Sequence, residues 1–251
     1  MEMVKVSNVS KTYGKEAMHH ALHQVSFSIE PGEFVGVMGP SGSGKTTLLN
    51  TISTVDQPTS GDILIKGLNP LQLKGDELAL FRRRELGFVF QDFNLLDTLT
   101  VGENAVLPLT LDRIPVAEQD KRLHSIAKTL RIDHLLGKRT YEISGGEAQR
   151  TAIARAVIHQ PSLLLADEPT GNLDSKAART VMELFEKINK EHQQTTIMVT
   201  HDPVAASYCG RIIFIKDGSI YNEIHSGGSR QQFYQQIIDV LSLLGGAAHG
   251  V

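Results

Sequence analysis

The chain has 251 residues, 41% of them hydrophobic and 21% charged, which excludes a disordered polymer and supplies enough apolar material for one large core or two lobes. Lysine and arginine total 25 against 28 aspartates and glutamates, a net charge of −3, so no broad basic surface is predicted and no nucleic acid is expected as a partner. The only cysteine, Cys209, leaves no intrachain disulfide or cysteine-rich metal site and reads as a small buried filler.

No apolar run reaches the roughly 18 residues of a membrane span. The start Met1-Glu2-Met3-Val4-Lys5 lacks the basic and apolar regions of a signal peptide, so a cytoplasmic location is expected, with any membrane role exercised through another polypeptide. His19, His20 and His23 have no supporting ligands nearby and read as a solvated strand or loop. Glu33 to Met38 is apolar enough for a buried strand, and Thr46 to Ile52 has the apolar spacing of a helix.

Between them, Gly39-Pro40-Ser41-Gly42-Ser43-Gly44-Lys45-Thr46 fills every position of the P-loop pattern. A glycine-rich turn at a helix N-terminus aims backbone N–H groups at phosphate, where the helix dipole also favours negative charge. Lys45 then supplies a point charge near the β- and γ-phosphates, and the Thr46 hydroxyl can ligate Mg²⁺. The chemistry predicted is ATP binding and hydrolysis.

Further along, Arg82-Arg83-Arg84 is most simply a solvated helix face, with contact to a membrane protein's loops as the alternative. Leu86 to Phe90 reads as a strand and delivers Gln91 to its end, where an amide can join Mg²⁺ or the attacking water from a movable loop. Ser144-Gly145-Gly146 opens the helical run Glu147 to Arg155 and offers a second anion-binding helix end. An ordinary helix cap explains the serine alone.

Pro161 to Ala166 is another buried strand, ending in Asp167-Glu168 at the carboxyl edge where open α/β sheets bind ligands. Two adjacent carboxylates need different jobs: Asp167 is assigned to Mg²⁺, Glu168 to general base or water positioning. Thr195 to Thr200 is a third β-rich run with His201 at its end, placed to reach a γ-phosphate. Strand-like segments flank Asp217-Gly218 and predict a hairpin. Ser229 with Gln232 forms a capping-box pattern before Phe233, Ile237, Val240, Leu241 and Leu244, which recur at helical spacing. Packing on its own domain, a permease contact and a membrane surface are the three readings of that helix.

Together these motifs resemble those of an ATP-binding-cassette transporter ATPase over almost the whole chain. The resemblance implies an α/β P-loop NTPase (RecA-like) core with an antiparallel β subdomain and an inserted α-helical subdomain. The implied division is a nucleotide-binding core at 1–91 and 159–223, a helical lobe at 92–158, and a C-terminal helical extension at 224–251. It implies further that Tyr13 stacks on adenine, that residues 39–47 including Thr47 hold the nucleotide, and that Gln91 sits in the coupling loop. Ser144, Gly145 and Gly146 would contact ATP held by a second copy, and Asp174 would face that copy. Glu147 departs from the glutamine common at its position, and activity is expected to survive because the serine and two glycines make the turn.

The finer resemblance is to the bacitracin-export type of peptide-antibiotic resistance ATPase, carried by Gln91 to Thr100, His201 to Gly210 and Gly227 to Gly246. It implies a homodimer on the inner face of the membrane, bound to a transmembrane permease and through it to a sensor kinase. The alternatives are lipoprotein release, macrolide export or cell division. A DNA-repair or translation ATPase would need a long coiled coil or a second cassette, and a non-hydrolysing scaffold would not need Lys45, Gln91, Asp167, Glu168 and His201 together.

Overall fold

A computed structural model describes residues 2–14 and 18–246. In chain order its elements are β1 (Val4–Tyr13), β2 (His19–Ile29), β3 (Phe34–Met38), α1 (Lys45–Ile52), β4 (Ser60–Ile65), α2 (Gly75–Glu85), β5 (Leu86–Val89), α3 (Val101–Leu111) and α4 (Val116–Leu130). There follow α5 (Gly145–Val157), β6 (Leu163–Asp167), α6 (Ser175–His192), β7 (Thr196–Val199), α7 (Pro203–Ala206), β8 (Arg211–Lys216), β9 (Ser219–His225) and α8 (Arg230–Gly246).

Two sheets share the load. One is antiparallel, in the order β2-β1-β4; the other runs β5-β6-β7-β3-β8-β9, parallel throughout except for β9. Strands buried on both faces need continuous apolar sequence, and β3, β6 and β7 have it. The two-residue period then sorts them: Val35, Val37, Leu163, Leu165, Ile197 and Val199 face α1 and the antiparallel sheet. Phe34, Met38, Leu164, Ala166 and Met198 face the helices on the other side. Each such side chain contributes about 1.5–3 kcal/mol on burial, so this two-sided core fixes strand register.

Register positions the chemistry. Val37 pairs with Val199, and Val199 with Asp167, so β3, β6 and β7 end level and project the next residues from one edge. The β8–β9 hairpin turns at Asp217-Gly218 with both φ angles positive, as the twist of a two-residue turn requires.

The structure revises two expectations. Arg82-Arg83-Arg84 is not a free solvated face: Arg82 Nε donates to Thr54 Oγ1 at 2.9 Å, while Arg83 and Arg84 both pair with Asp112 beyond α3, at 2.7 and 2.9 Å. The last turn of α2 lies between the end of α1 and the end of α3, so all three guanidinium groups are spent joining elements. In addition, strand β9 continues through His225, and the C-terminal helix begins at Arg230 rather than at 224. The Ser229 cap holds that start, accepting from Gln232 N at 3.3 Å while Gln232 Oε1 accepts from Ser229 N at 3.0 Å. Phe233, Ile237, Val240 and Leu244 enter the core, so α8 packs on its own domain.

Candidate active site at the carboxyl edge of the parallel sheet

The turn after β3 has two positions where the backbone leaves no room for a side chain. Gly39 has φ +156°, and a Cβ there would stand 2.1 Å from the Ile215 carbonyl oxygen. Gly44 has φ +102°, with a Cβ 2.3 Å from the Ala21 oxygen. Only glycine combines those angles with that proximity. α1 starts at Lys45 without a side-chain cap, leaving its first N–H groups to whatever anion the loop receives.

Lys45 folds back over the loop and donates from Nζ to the Gly39 and Pro40 oxygens, both at 2.9 Å. Burial pulls its pKa down, while Glu168 and Asp167 push it up. The ammonium therefore lies within electrostatic reach of both carboxylates. Burial, reinforced by the charge of Glu168 and opposed by Lys45, raises the Asp167 pKa. Its Oδ1 is buried with no hydrogen-bond partner.

Glu168 carries an uncommon left-handed backbone, φ +45°, immediately beyond β6. Its backbone N–H donates to Val199 O at 2.9 Å, while its carboxylate takes the His201 backbone N–H at 3.2 Å and meets the His201 Nδ1 at 2.8 Å. A carboxylate only accepts, so Nδ1 carries the proton. The Glu168 side chain is 16% exposed and the His201 side chain 73%, so the histidine is the outward member of the pair. Gly39, Pro40, Ser41, Lys45, Glu168 and His201 line one cavity of about 450 Å³.

Other predicted residues are held elsewhere in this conformation. Gln91 does not line that cavity; its Nε2 donates to Asn172 Oδ1 at 3.2 Å. Tyr13 donates from its hydroxyl to Asp56 at 2.6 Å, with the Lys11 ammonium 4.7 Å from the ring centroid. Burial first, then the Asp56 hydrogen bond, raises the Tyr13 pKa, and the nearby Thr47 side chain opposes that rise.

Ser144, Gly145 and Gly146 are also absent from the cavity lining. Ser144 caps α5 instead: Glu147 Oε2 accepts from Ser144 N at 2.8 Å and from its Oγ at 2.7 Å. Those bonds hold the Glu147 pKa below its usual value. Asp174 caps α6, its Oδ1 accepting from Lys176 N and Ala177 N at 2.9 Å.

Three residues that sequence reasoning passed over tie these parts together. Gln149, fully buried on α5, donates to the Phe90 and Pro169 oxygens, reaching the strand before Gln91 and the segment after Glu168 in one amide. Arg155 donates to Phe93 O at 2.9 Å, clamping a turn in which Phe93 and Asn94 both have positive φ. Asn172 bonds both Gln91 and Asp92. Polar side chains on the apolar face of α5 are the sequence signal for the first two.

A glycine cradle, a lysine and a carboxylate-histidine pair at one sheet edge describe a nucleotide hydrolase, and comparison with known proteins makes the description specific. The family model described as ABC transporter matches residues 22–171, more than half of the chain. The chain belongs to the ABC transporter ATPase family.

It is similar to the ABC transporter ATP-binding protein YxdL of Bacillus subtilis, with 63% identity over 98% of this chain and 96% of the relative. It is 48% identical to the bacitracin export ATP-binding protein BceA of Halalkalibacterium halodurans, with 98% of each chain covered. The solved dimeric post-hydrolysis state of the ATP-binding cassette MJ0796, bound to ADP and Pi, superimposes with a TM-score of 0.82 at 42% identity, covering 90% of this chain and all of the other. The chain is accordingly an ATPase of a family whose cassettes form dimers and work with a transmembrane permease. No helix among the described residues is long and apolar enough to cross a membrane.

Proposed function

We propose that the cassette powers a permease for bacitracin-like antimicrobial peptides, peripherally on the cytoplasmic face, with two ATP molecules sandwiched between two copies. The catalytic reading is carried by one cavity uniting Lys45, Glu168 and His201. The peptide reading is supported by the near full-length likeness to a bacitracin export ATP-binding protein.

In the proposed cycle Tyr13 stacks on adenine, and the N–H groups of residues 39–47 with Lys45 hold the phosphates. Glu168 orients water and takes its proton as the water oxygen bonds to the γ-phosphorus, while the bond to the β-γ bridging oxygen breaks and ADP leaves. His201 already commits Nδ1 to Glu168, so Nε2 is the nitrogen left for the γ-phosphate; donating there as well requires both ring nitrogens protonated.

The residues present fit Mg²⁺: the orphaned Asp167 oxygen, the exposed Thr46 hydroxyl and the Gln91 amide oxygen form an all-oxygen set suited to a hard cation. Bound there, it would neutralise charge developing on the phosphate oxygens. Thr46, Asp167 and, once released from Asn172, Gln91 would hold it.

Ser144, Gly145, Gly146 and the free oxygen of Asp174 would meet the nucleotide of the second copy, with the 92–158 lobe moving as Gln91 changes partners. The test is to purify the ATPase with its native permease and measure turnover against bacitracin and unrelated cargo. Stimulation by the peptide is expected, and stimulation by lipoprotein or macrolide alone would overturn the peptide assignment.

A further inference from the structure

Helix α8 packs along its length on its own domain, burying Phe233, Ile237, Val240 and Leu244, and contacts α7 and β9. Its start is fastened three ways: the Ser229 cap, an Arg230–Glu186 ion pair at 2.8 Å, and the Arg230 guanidinium stacked 3.8 Å from the Tyr208 ring centroid. From that anchor the helix runs on to the phosphate cavity, whose wall includes Leu241 and Leu244 beside Gly39, Pro40, Ser41, Lys45, Glu168 and His201. Leu244 is buried in the core, whereas Leu241 is only partly covered.

An apolar side chain standing half-covered beside a lysine, a glutamate and a histidine contributes nothing to phosphate recognition and is poorly matched to water. One side of Leu241 packs on the core, and the rest stands at the cavity wall, where an apolar or backbone surface would fit it. The face carrying Pro40, Ser41 and His201 is the one that the proposed nucleotide sandwich covers, and related cassettes are solved as dimers.

We infer that the distal half of α8 is part of the contact with a second copy of this chain, Leu241 being covered when that copy closes over the phosphate cavity. The inference rests on the two-copy reading. The interface gains a fixed apolar rim beside the exposed Pro40 and Ser41, and the helix, packed against the α7 that follows His201, moves with the histidine-bearing turn. Because α8 is anchored within its own core, it meets the partner as a preformed surface and adds little ordering cost.

The experiment uses full-length Glu168→Gln protein, in which the two-copy reading expects dimers to accumulate with ATP. Ser242, exposed and next to Leu241, is replaced (Ser242→Cys) and labelled with bimane; the native Cys209 is buried, so the label is site-specific. ATP is expected to shift bimane emission to the blue and slow its quenching by iodide in step with dimer formation. In parallel, Leu241→Asp is expected to weaken ATP-dependent dimerisation about tenfold or more, measured at ATP concentrations that saturate the single copy.

A dimer that forms with no change at the label and no loss on Leu241→Asp overturns the inference while leaving the two-copy reading intact. Absence of any ATP-dependent dimer in the parent protein overturns the two-copy reading and this inference with it. Should Leu241→Asp fail to fold, the label at 242 decides alone.

Discussion

The loop around Lys45 and the turn around Ser144 are both helix N-termini with glycines and a hydroxyl residue, yet their surroundings differ in kind. The first has no cap of its own and opens on a cavity shared with Glu168 and His201, with Asp167 within electrostatic reach of Lys45. The second is closed on itself, Ser144 and Glu147 satisfying one another's hydrogen bonds, and contributes nothing to that cavity. A helix end left uncapped beside catalytic groups is a site in waiting. A helix end capped by its own residues and absent from that cavity suits the proposed role toward a second copy, whose nucleotide it would meet.

The sharpest way to separate the two regions is to disable each. Glu168→Gln should lower turnover by about 10²–10⁴-fold, the range lost with a general base, while ATP binding persists. Steady-state phosphate release with equilibrium nucleotide binding measures both, and unchanged turnover removes Glu168 from its role. Ser144→Ala should cost less, about ten- to a hundredfold, corresponding to one hydrogen bond to a charged group at ~1.5–3 kcal/mol. Its effect should fall on turnover and dimer formation, leaving nucleotide binding by a single copy untouched. A matching loss of single-copy binding would mean that the serine turn serves its own chain.

The smallest effect lies away from both regions, at the base of α8. Burial opposes ionisation of Glu186, but hydrogen bonds from Lys190 and Arg230 outweigh it and hold its pKa below the usual value. A depressed carboxylate stabilises the fold above its unfolded pKa of about 4.3 and loses that contribution as pH falls through the lower folded value. Glu186→Gln should therefore lower stability by under ~1 kcal/mol at neutral pH. The difference should fade in acid, as urea titrations across pH would show; a gap that widens in acid contradicts the pairing.

Much of this was legible before any coordinates. Contiguous apolar runs leading into Gly39, Glu168 and His201 read as buried strands, and their parallel pairing in register brings the carboxyl ends to one edge. The Asp217-Gly218 turn and the capping box at Ser229 and Gln232 follow from local backbone chemistry and were readable for that reason. What the sequence hid depended on contacts between distant segments. The arginines at 82–84 look like a solvated run because nothing local reveals that Asp112 lies opposite two of them. Gln149 and Arg155 are polar residues on a buried helix face, and their carbonyl partners belong to loops whose conformations no periodicity encodes. The reach of α8 to the phosphate cavity was equally silent, since helical spacing tells which face is apolar but not where the helix ends.

The central claim is that each nucleotide is served by the glycine cradle of one copy and the serine turn of the other. It is tested most directly by combining two crippled proteins, Lys45→Ala and Ser144→Ala, carrying different affinity tags and isolated as mixed dimers. If the sites are shared, one site in the mixed dimer collects both lesions and the other is intact, so turnover should return well above either variant alone. If instead each chain encloses its own nucleotide, both sites remain damaged, and verified mixed dimers with no recovered turnover would contradict the account.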